Sequence, residues 1–142
     1  MIHYILFRTQ AHSTEDVSRV KQALENVLPP ETPIEEEETK GYFDNPIVIL
    51  TARLEKKAAV KYMDFLRTRL PGSDLKELIG EIPERISESC DFYLKLSKQD
   101  AYIGDVRTSY AEDVIAIRAR VAAYPAKREP CIQTMKEFLH AE

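Results

Sequence analysis

The chain of 142 residues has no tryptophan, two cysteines, three histidines and four glycines. Each scarcity excludes something. Cys90 and Cys131 stand alone without CxxC spacing, so neither a zinc site nor a disulfide framework is signalled, and both read as small core residues. His3, His12 and His140 are scattered without ligand spacing, no HExxH run occurs, and the few glycines form no phosphate-cradling loop. A metal cluster of Asp100, Asp105 and Asp113 can be drawn, but acidic loop residues are common without one. The expectation is therefore no metal, no cofactor, no catalytic residues and no enzymatic activity.

Long apolar runs are missing too. A stretch such as PIVILTA is far below the roughly 20 residues of a bilayer-spanning helix, and the opening MIHYILFRTQ lacks a basic start and a small-residue cleavage site. These features predict a soluble, cytoplasmic protein with no membrane partner. The length and the 44% hydrophobic content supply one core, so a single domain over residues 1–142 is expected.

Positive charge is in deficit: the net charge is −4 and the pI near 5.5. Nonspecific nucleic-acid binders usually carry a basic excess, and the chain as a whole does not. The deficit is local, however. Residues 1–90 hold 12 basic and 16 acidic side chains, whereas residues 91–142 hold 8 of each. The run Glu35 to Glu38 alone equals the surplus, and such a run is ordinarily a solvated face.

What is present is an alternation of short elements. IHYILFRT reads as a strand with two apolar faces, suited to a central position. STEDVSRVKQALENVL is a helix with Val17, Val20, Leu24, Val27 and Leu28 on one face, a Ser13/Asp16 capping box, and Pro29-Pro30 as its stop. TPIEEEETKG and NPIVILTARL form a strand pair joined through KGYFDN, with Gly41, Asp44 and Asn45 as turn residues. Residues 55–70 turn helical, with Ala59, Met63, Leu66 and Leu70 in register, and shorter helical pieces broken at Gly80 and Pro83 follow. CDFYLKLSKQ is a strand with Phe92, Leu94 and Leu96 inward. VIAIRARVAAY is another, with Ile115, Ile117, Ala119 and Val121 inward and Ala116, Arg118 and Arg120 outward. A last helix runs near Arg128 to Leu139, burying Cys131, Ile132, Met135, Phe138 and Leu139. The order β-α-β-β-α-(α)-β-β-α predicts an α+β two-layer domain, an antiparallel or mixed sheet with helices on one face.

Three places could carry chemistry. If the last two strands pair antiparallel, Lys95, Arg118 and Arg120 share an outward face with Tyr93, the kind of surface on which RNA bases stack and phosphates are held. An outward strand face is polar in any case, so a plain solvated surface fits the same residues. The connection SKQDAYIGDVRTSY adds Lys98, Tyr102, Arg107 and Tyr110, with Gly104 as a sharp turn, yet its acidic residues also suit a solvated hairpin with internal ion pairs. In AAYPAKREPC, Pro125 ends a strand and Pro130 falls in the first turn of the last helix. Lys127 and Arg128 are thereby set at the positive end of the helix dipole, either as a phosphate site or simply extended into water.

KGYFDNPIVIL, FYLKLSKQDAYIGD and IRARVAAYPAKRE together resemble an archaeal family of small RNA-binding proteins described as exosome-associated subunits, over nearly the whole chain. The resemblance implies an α+β fold similar to the large-subunit ribosomal protein that grips 5S rRNA, and no catalytic residues. Positions matching its motifs that could touch RNA are Lys40 and Tyr42, then Lys95, Lys98 and Tyr102, and finally Tyr124, Lys127 and Arg128. Arg118 and Arg120 join them through the strand argument. The implied partners are RNA and exosome or ribosome-related proteins. The competing reading is a protein-interaction module, a homodimer or complex subunit, whose sheet face or edge strand meets protein.

Overall fold

The computed structural model describes residues 1–140, apart from the side chain of Tyr42. Its elements, in chain order, are β1 (Ile2–Ala11), α1 (Val17–Asn26), β2 (Glu35–Lys40), a short 3-10 turn (Tyr42–Asp44) and β3 (Pro46–Glu55), then α2 (Lys56–Arg69), α3 (Gly72–Gly80) and α4 (Ile82–Arg85), and finally β4 (Asp91–Ser97), α5 (Lys98–Tyr102), β5 (Val114–Val121) and α6 (Arg128–His140). The five strands form one open antiparallel sheet in the order β2-β3-β1-β5-β4, and with the helices they make a two-layer α+β architecture. β1, apolar on both sides, lies in the middle. The Glu-rich β2 lies at an edge, paired antiparallel to β3 with Glu36 opposite Leu50 and Glu38 opposite Val48, and every one of its residues is exposed. An edge is where a strand of charges can remain hydrated.

The chain divides into two compact units. One comprises residues 1–5, 54–94 and the chain from residue 118 onward; the other comprises residues 6–53 and 95–117. In the first, α2, α3 and α4 pack against α6. The 3.6-residue spacing of Ala59, Met63 and Leu66 buries that face of α2, and Cys131, Ile132, Met135 and Leu139 do the same for α6, while Phe138 stays half-buried. In the second, Val20, Ala23 and Leu24 bury the inner face of α1, which packs on α5. Asn26 ties the two helices by donating to the Ala101 carbonyl at 2.8 Å.

The alternation expected in the last strands holds residue for residue: Phe92, Leu94 and Leu96 are buried, as are Ile115, Ile117, Ala119 and Val121. Several expectations need correction. Asp16 is itself the N-cap of α1, accepting from the Ser18 amide at 2.9 Å, so the helix begins later than a Ser13 box implies. These local hydrogen bonds from Ser18 hold the Asp16 carboxyl below its usual range. Gly80 does end a helix, but Pro83 sits inside the first turn of α4 rather than breaking one, because a first-turn residue needs no amide partner. The stretch after β4 is not a bare connection: Ser97 caps the short helix α5 by accepting from the Asp100 amide at 3.2 Å. Gly104 follows it with φ +91°, the turn conformation glycine permits.

Cys90 and Cys131 are buried as expected, yet they are bonded to each other, joining residues 41 apart whose Cα atoms stand 6.0 Å apart. Lone cysteines in a sequence carry no pairing signal. Here the fold brings the start of β4 against the first turn of α6.

Candidate functional site

In the unit of residues 6–53 and 95–117, alternation along β1 buries Phe7 and Thr9 and leaves Arg8 exposed between them. Lys95 is exposed in the same way between Leu94 and Leu96 on β4. Arg8 and Lys95 line one open cavity of about 240 Å³ together with Gln10 and Ala116. Among the described residues neither cation has an ion-pair partner in the chain. Glu112 and Asp113 stand at the same cavity, but Asp113 is already engaged, 2.8 Å from the Lys98 ammonium and 3.4 Å from His12 Nε2.

Lys98 itself is turned inward. Its ammonium donates to the Gln10 carbonyl at 2.9 Å and to Asp113 Oδ1 at 2.8 Å, and lies 2.9 Å from Glu15 Oε2. Three acceptors use its three donors, leaving none for an external phosphate. The residue is 7% exposed. The structure thus makes Lys98 an internal tie between β1, the residues just before α1 and the residue just before β5. His12, Glu15 and Asp113 are close enough together to ligate a cation, and the Lys98 ammonium supplies positive charge to two of them. The Asp100/Asp105/Asp113 grouping is replaced by this one, because only Asp113 of the three belongs to it.

Tyr102 is exposed at the end of α5, with the Arg19 guanidinium 6.0 Å from its ring centre. Together they line a second opening of about 230 Å³ beside α1, also bordered by Val20 and Gln99. A cation over an aromatic face is a platform on which a base can stack. Lys40 is exposed at the end of β2, where the chain turns through Gly41, whose amide donates to the Asn45 carbonyl at 2.8 Å. A Cβ at Gly41 would press on the Ile47 side chain, whose end would have to shift. The Tyr42 side chain lies outside the described residues. Its neighbour Phe43, with φ +57°, is 93% exposed at the tip.

In the other unit, Arg118 and Arg120 leave β5 on its outward face, both half-buried. They differ in company. Arg120 forms two hydrogen bonds to buried Asp91, and its guanidinium lies 5.7 Å from the Tyr4 ring centre. The Asp91 hydrogen bond raises the Arg120 pKa further, so the guanidinium is permanently charged but committed. Arg118 has no ion-pair partner among the described residues. Tyr93 is exposed on β4 in the same unit.

The junction before α6 is the strand-to-helix turn that its prolines predict. The Tyr124–Pro125 peptide is cis, Tyr124 is fully exposed, and α6 begins at Arg128 with the Cys131 amide donating to the Lys127 carbonyl at 3.1 Å. Lys127 extends into solvent without an ion-pair partner among the described residues. Arg128 does not. Its guanidinium donates to the carbonyls of Ile86 and Pro83, binding the end of α4 to the start of α6.

Of the positions singled out in the sequence, Lys40, Lys95, Arg118 and Lys127 thus keep open cations and Tyr102 and Tyr124 open rings, while Lys98, Arg120 and Arg128 serve the fold. Arg8 and Arg19 were missed. Arg8 was legible from the period-2 alternation of β1; Arg19 has no signal short of knowing that α5 exists.

An α+β sheet whose outward strands and loops carry open cations and exposed aromatics has the chemistry that a polyanion surface requires. The chain is a member of the family described as RNA binding, whose model matches residues 4–121. It is 38% identical to "RNA-binding protein PAB1135" of Pyrococcus abyssi over 146 aligned residues, covering 99% of this chain and 95% of that protein. Among solved structures it is similar to protein AF2318 of Archaeglobus fulgidus, with TM-score 0.88 and 31% identity over 97% of this chain and 99% of that one. It is also similar to Mth689, a DUF54 protein of Methanothermobacter thermautotrophicus, with TM-score 0.83 and 32% identity over 99% of both chains.

Proposed function

We propose that the protein is a noncatalytic, cytoplasmic RNA-binding protein that holds single-stranded or looped RNA, as an accessory to RNA processing or exosome-linked degradation. The observation that carries the binding mode is the pairing of Arg8 and Lys95 at one cavity, without ion-pair partners of their own among the described residues. A fold gains nothing from unpaired cations projected from β1 and β4 on either side of β5, whereas a phosphate backbone supplies the missing charge. Tyr102 beside Arg19 offers the complementary stacking surface. The accessory role rests on the sequence resemblance.

The test is a filter-binding titration of labelled single-stranded RNA at several salt concentrations, comparing wild type with Arg8→Ala/Lys95→Ala. Each lost single-strand phosphate contact removes about 0.7 from the slope of log affinity against log salt. The double variant is expected to bind more weakly with a slope shallower by about 1.4. An unchanged affinity and slope would remove these residues from the interface.

One observation favours the alternative of a protein-interaction module. β2 is an exposed edge strand bearing four consecutive glutamates, a surface that repels RNA and leaves backbone groups open for another strand. Light scattering after size exclusion, beside an RNA gel shift, separates the readings: a dimer with no RNA shift supports the alternative.

A further inference from the structure

The unit of residues 1–5, 54–94 and 118 onward carries a second open cavity, of about 390 Å³, at the start of β1 and the first turns of α2. Its size falls within the range of pockets that enclose small ligands, about 300–1,000 Å³. Met1, exposed, and Val60, half-buried, give it an apolar floor. Lys56, Lys57 and Lys61 give it a cationic rim, and no carboxylate among the described residues lines it.

The placement of these lysines is electrostatically unfavourable for the chain alone. Lys57 and Lys61 stand four residues apart on one helix face, an arrangement that destabilises a helix by a few tenths of a kcal/mol. All three lie in the first turns of α2, near the positive end of its dipole, where the first turn holds no acidic residue and no side chain caps the helix. All three are without ion-pair partners among the described residues. An apolar floor with three uncompensated cations around it matches a ligand with a flat apolar part flanked by negative charge.

We propose that this cavity is a separate RNA contact that takes one unpaired nucleotide, its base against Met1 and Val60 and its flanking phosphates on Lys56, Lys57 and Lys61. This rests on the RNA-binding reading above. It goes further by assigning a site that uses none of the residues singled out in the sequence and that requires an unstacked base.

The experiment compares wild type, Lys56→Gln/Lys57→Gln/Lys61→Gln, and a charge-matched control, Lys21→Gln/Lys76→Gln/Lys136→Gln, in salt titrations with a single-stranded RNA and with a blunt duplex of equal length. Removing like charges from a helix start leaves the fold intact, which a thermal melt checks. The proposal predicts a single-strand salt slope shallower by about 1.4–2.1 for the first variant, with a smaller change for the control and a smaller loss on duplex. If wild type binds single-stranded RNA and the first variant matches it in affinity and slope, the site is overturned while the RNA-binding reading stands. Equal losses in both triple variants, or equal losses on single strand and duplex, also overturn it, the first pointing to net charge and the second to backbone contact alone. If wild type binds no RNA, the broader reading fails with it.

Discussion

Arg120 grips Asp91 with two hydrogen bonds, Nε to Oδ1 at 2.8 Å and Nη2 to Oδ2 at 3.2 Å. Asp91 is 5% exposed, so without Arg120 a carboxylate would be left at the sheet surface with little access to water. Arg118, two residues earlier on the same strand face, has no such partner among the described residues. Arg120→Ala is therefore expected to destabilise the protein by roughly 1–3 kcal/mol, and Arg118→Ala by no more than about 0.5. Urea unfolding monitored by circular dichroism distinguishes them, and equal losses would mean that the pair contributes nothing specific.

The same division of labour separates Lys127 from Arg128. Lys127→Ala removes a solvated cation, so stability stays unchanged while the salt dependence of RNA binding weakens by about 0.7. Arg128→Ala deprives the Ile86 and Pro83 carbonyls of a charged donor and is expected to destabilise by about 1–3 kcal/mol. Thermal melts and salt titrations on the two single variants check this. A stability loss in Lys127→Ala without one in Arg128→Ala would reverse the assignment.

The Cys90–Cys131 bond closes a loop of about 40 residues spanning β4, α5 and β5. Cys131→Ala is expected to lower stability by about 2–4 kcal/mol relative to the oxidised protein. Thiol titration of the denatured wild type should find no free thiol before reductant and two after it. Two free thiols without reductant would contradict the bond.

Tyr62 is buried on α2, and burial raises its phenol pKa far above the usual value near 10. The neutral phenol is the favoured form in the folded state. Its contribution to stability is therefore complete below about pH 10 and declines as the pH rises beyond the pKa of the unfolded chain. In a native spectrophotometric titration Tyr62 is expected to stay neutral near pH 10 and to ionise only on unfolding. Ionisation of Tyr62 in the folded protein near pH 10, assigned by its loss in Tyr62→Phe, would refute its burial.

Alternation made the strands legible: the inward residues of β4 and β5 could be read because buried and outward side chains alternate from Phe92 to Ser97 and from Ile115 to Val121. α5 was hidden because five residues are too few to show a helical period, leaving the Ser97 cap as its single local trace. The cations divided for a different reason. Lys95 and Lys98 look alike in FYLKLSKQ, and what separates them is Glu15 and Asp113, brought to Lys98 from 83 and 15 residues away. The disulfide was invisible on the same grounds, since its two cysteines meet only once β4 and α6 have packed.

The central claim, that open cations on the strands meet RNA, is tested most directly by ultraviolet crosslinking of the protein to RNA in native cell extract, with mass-spectrometric mapping of the attached peptides. The account predicts crosslinks in peptides containing Arg8, Lys95 or Tyr102, together with recoverable transcripts. An absence of crosslinked RNA, or crosslinks confined to peptides of β2 and α3, would contradict it.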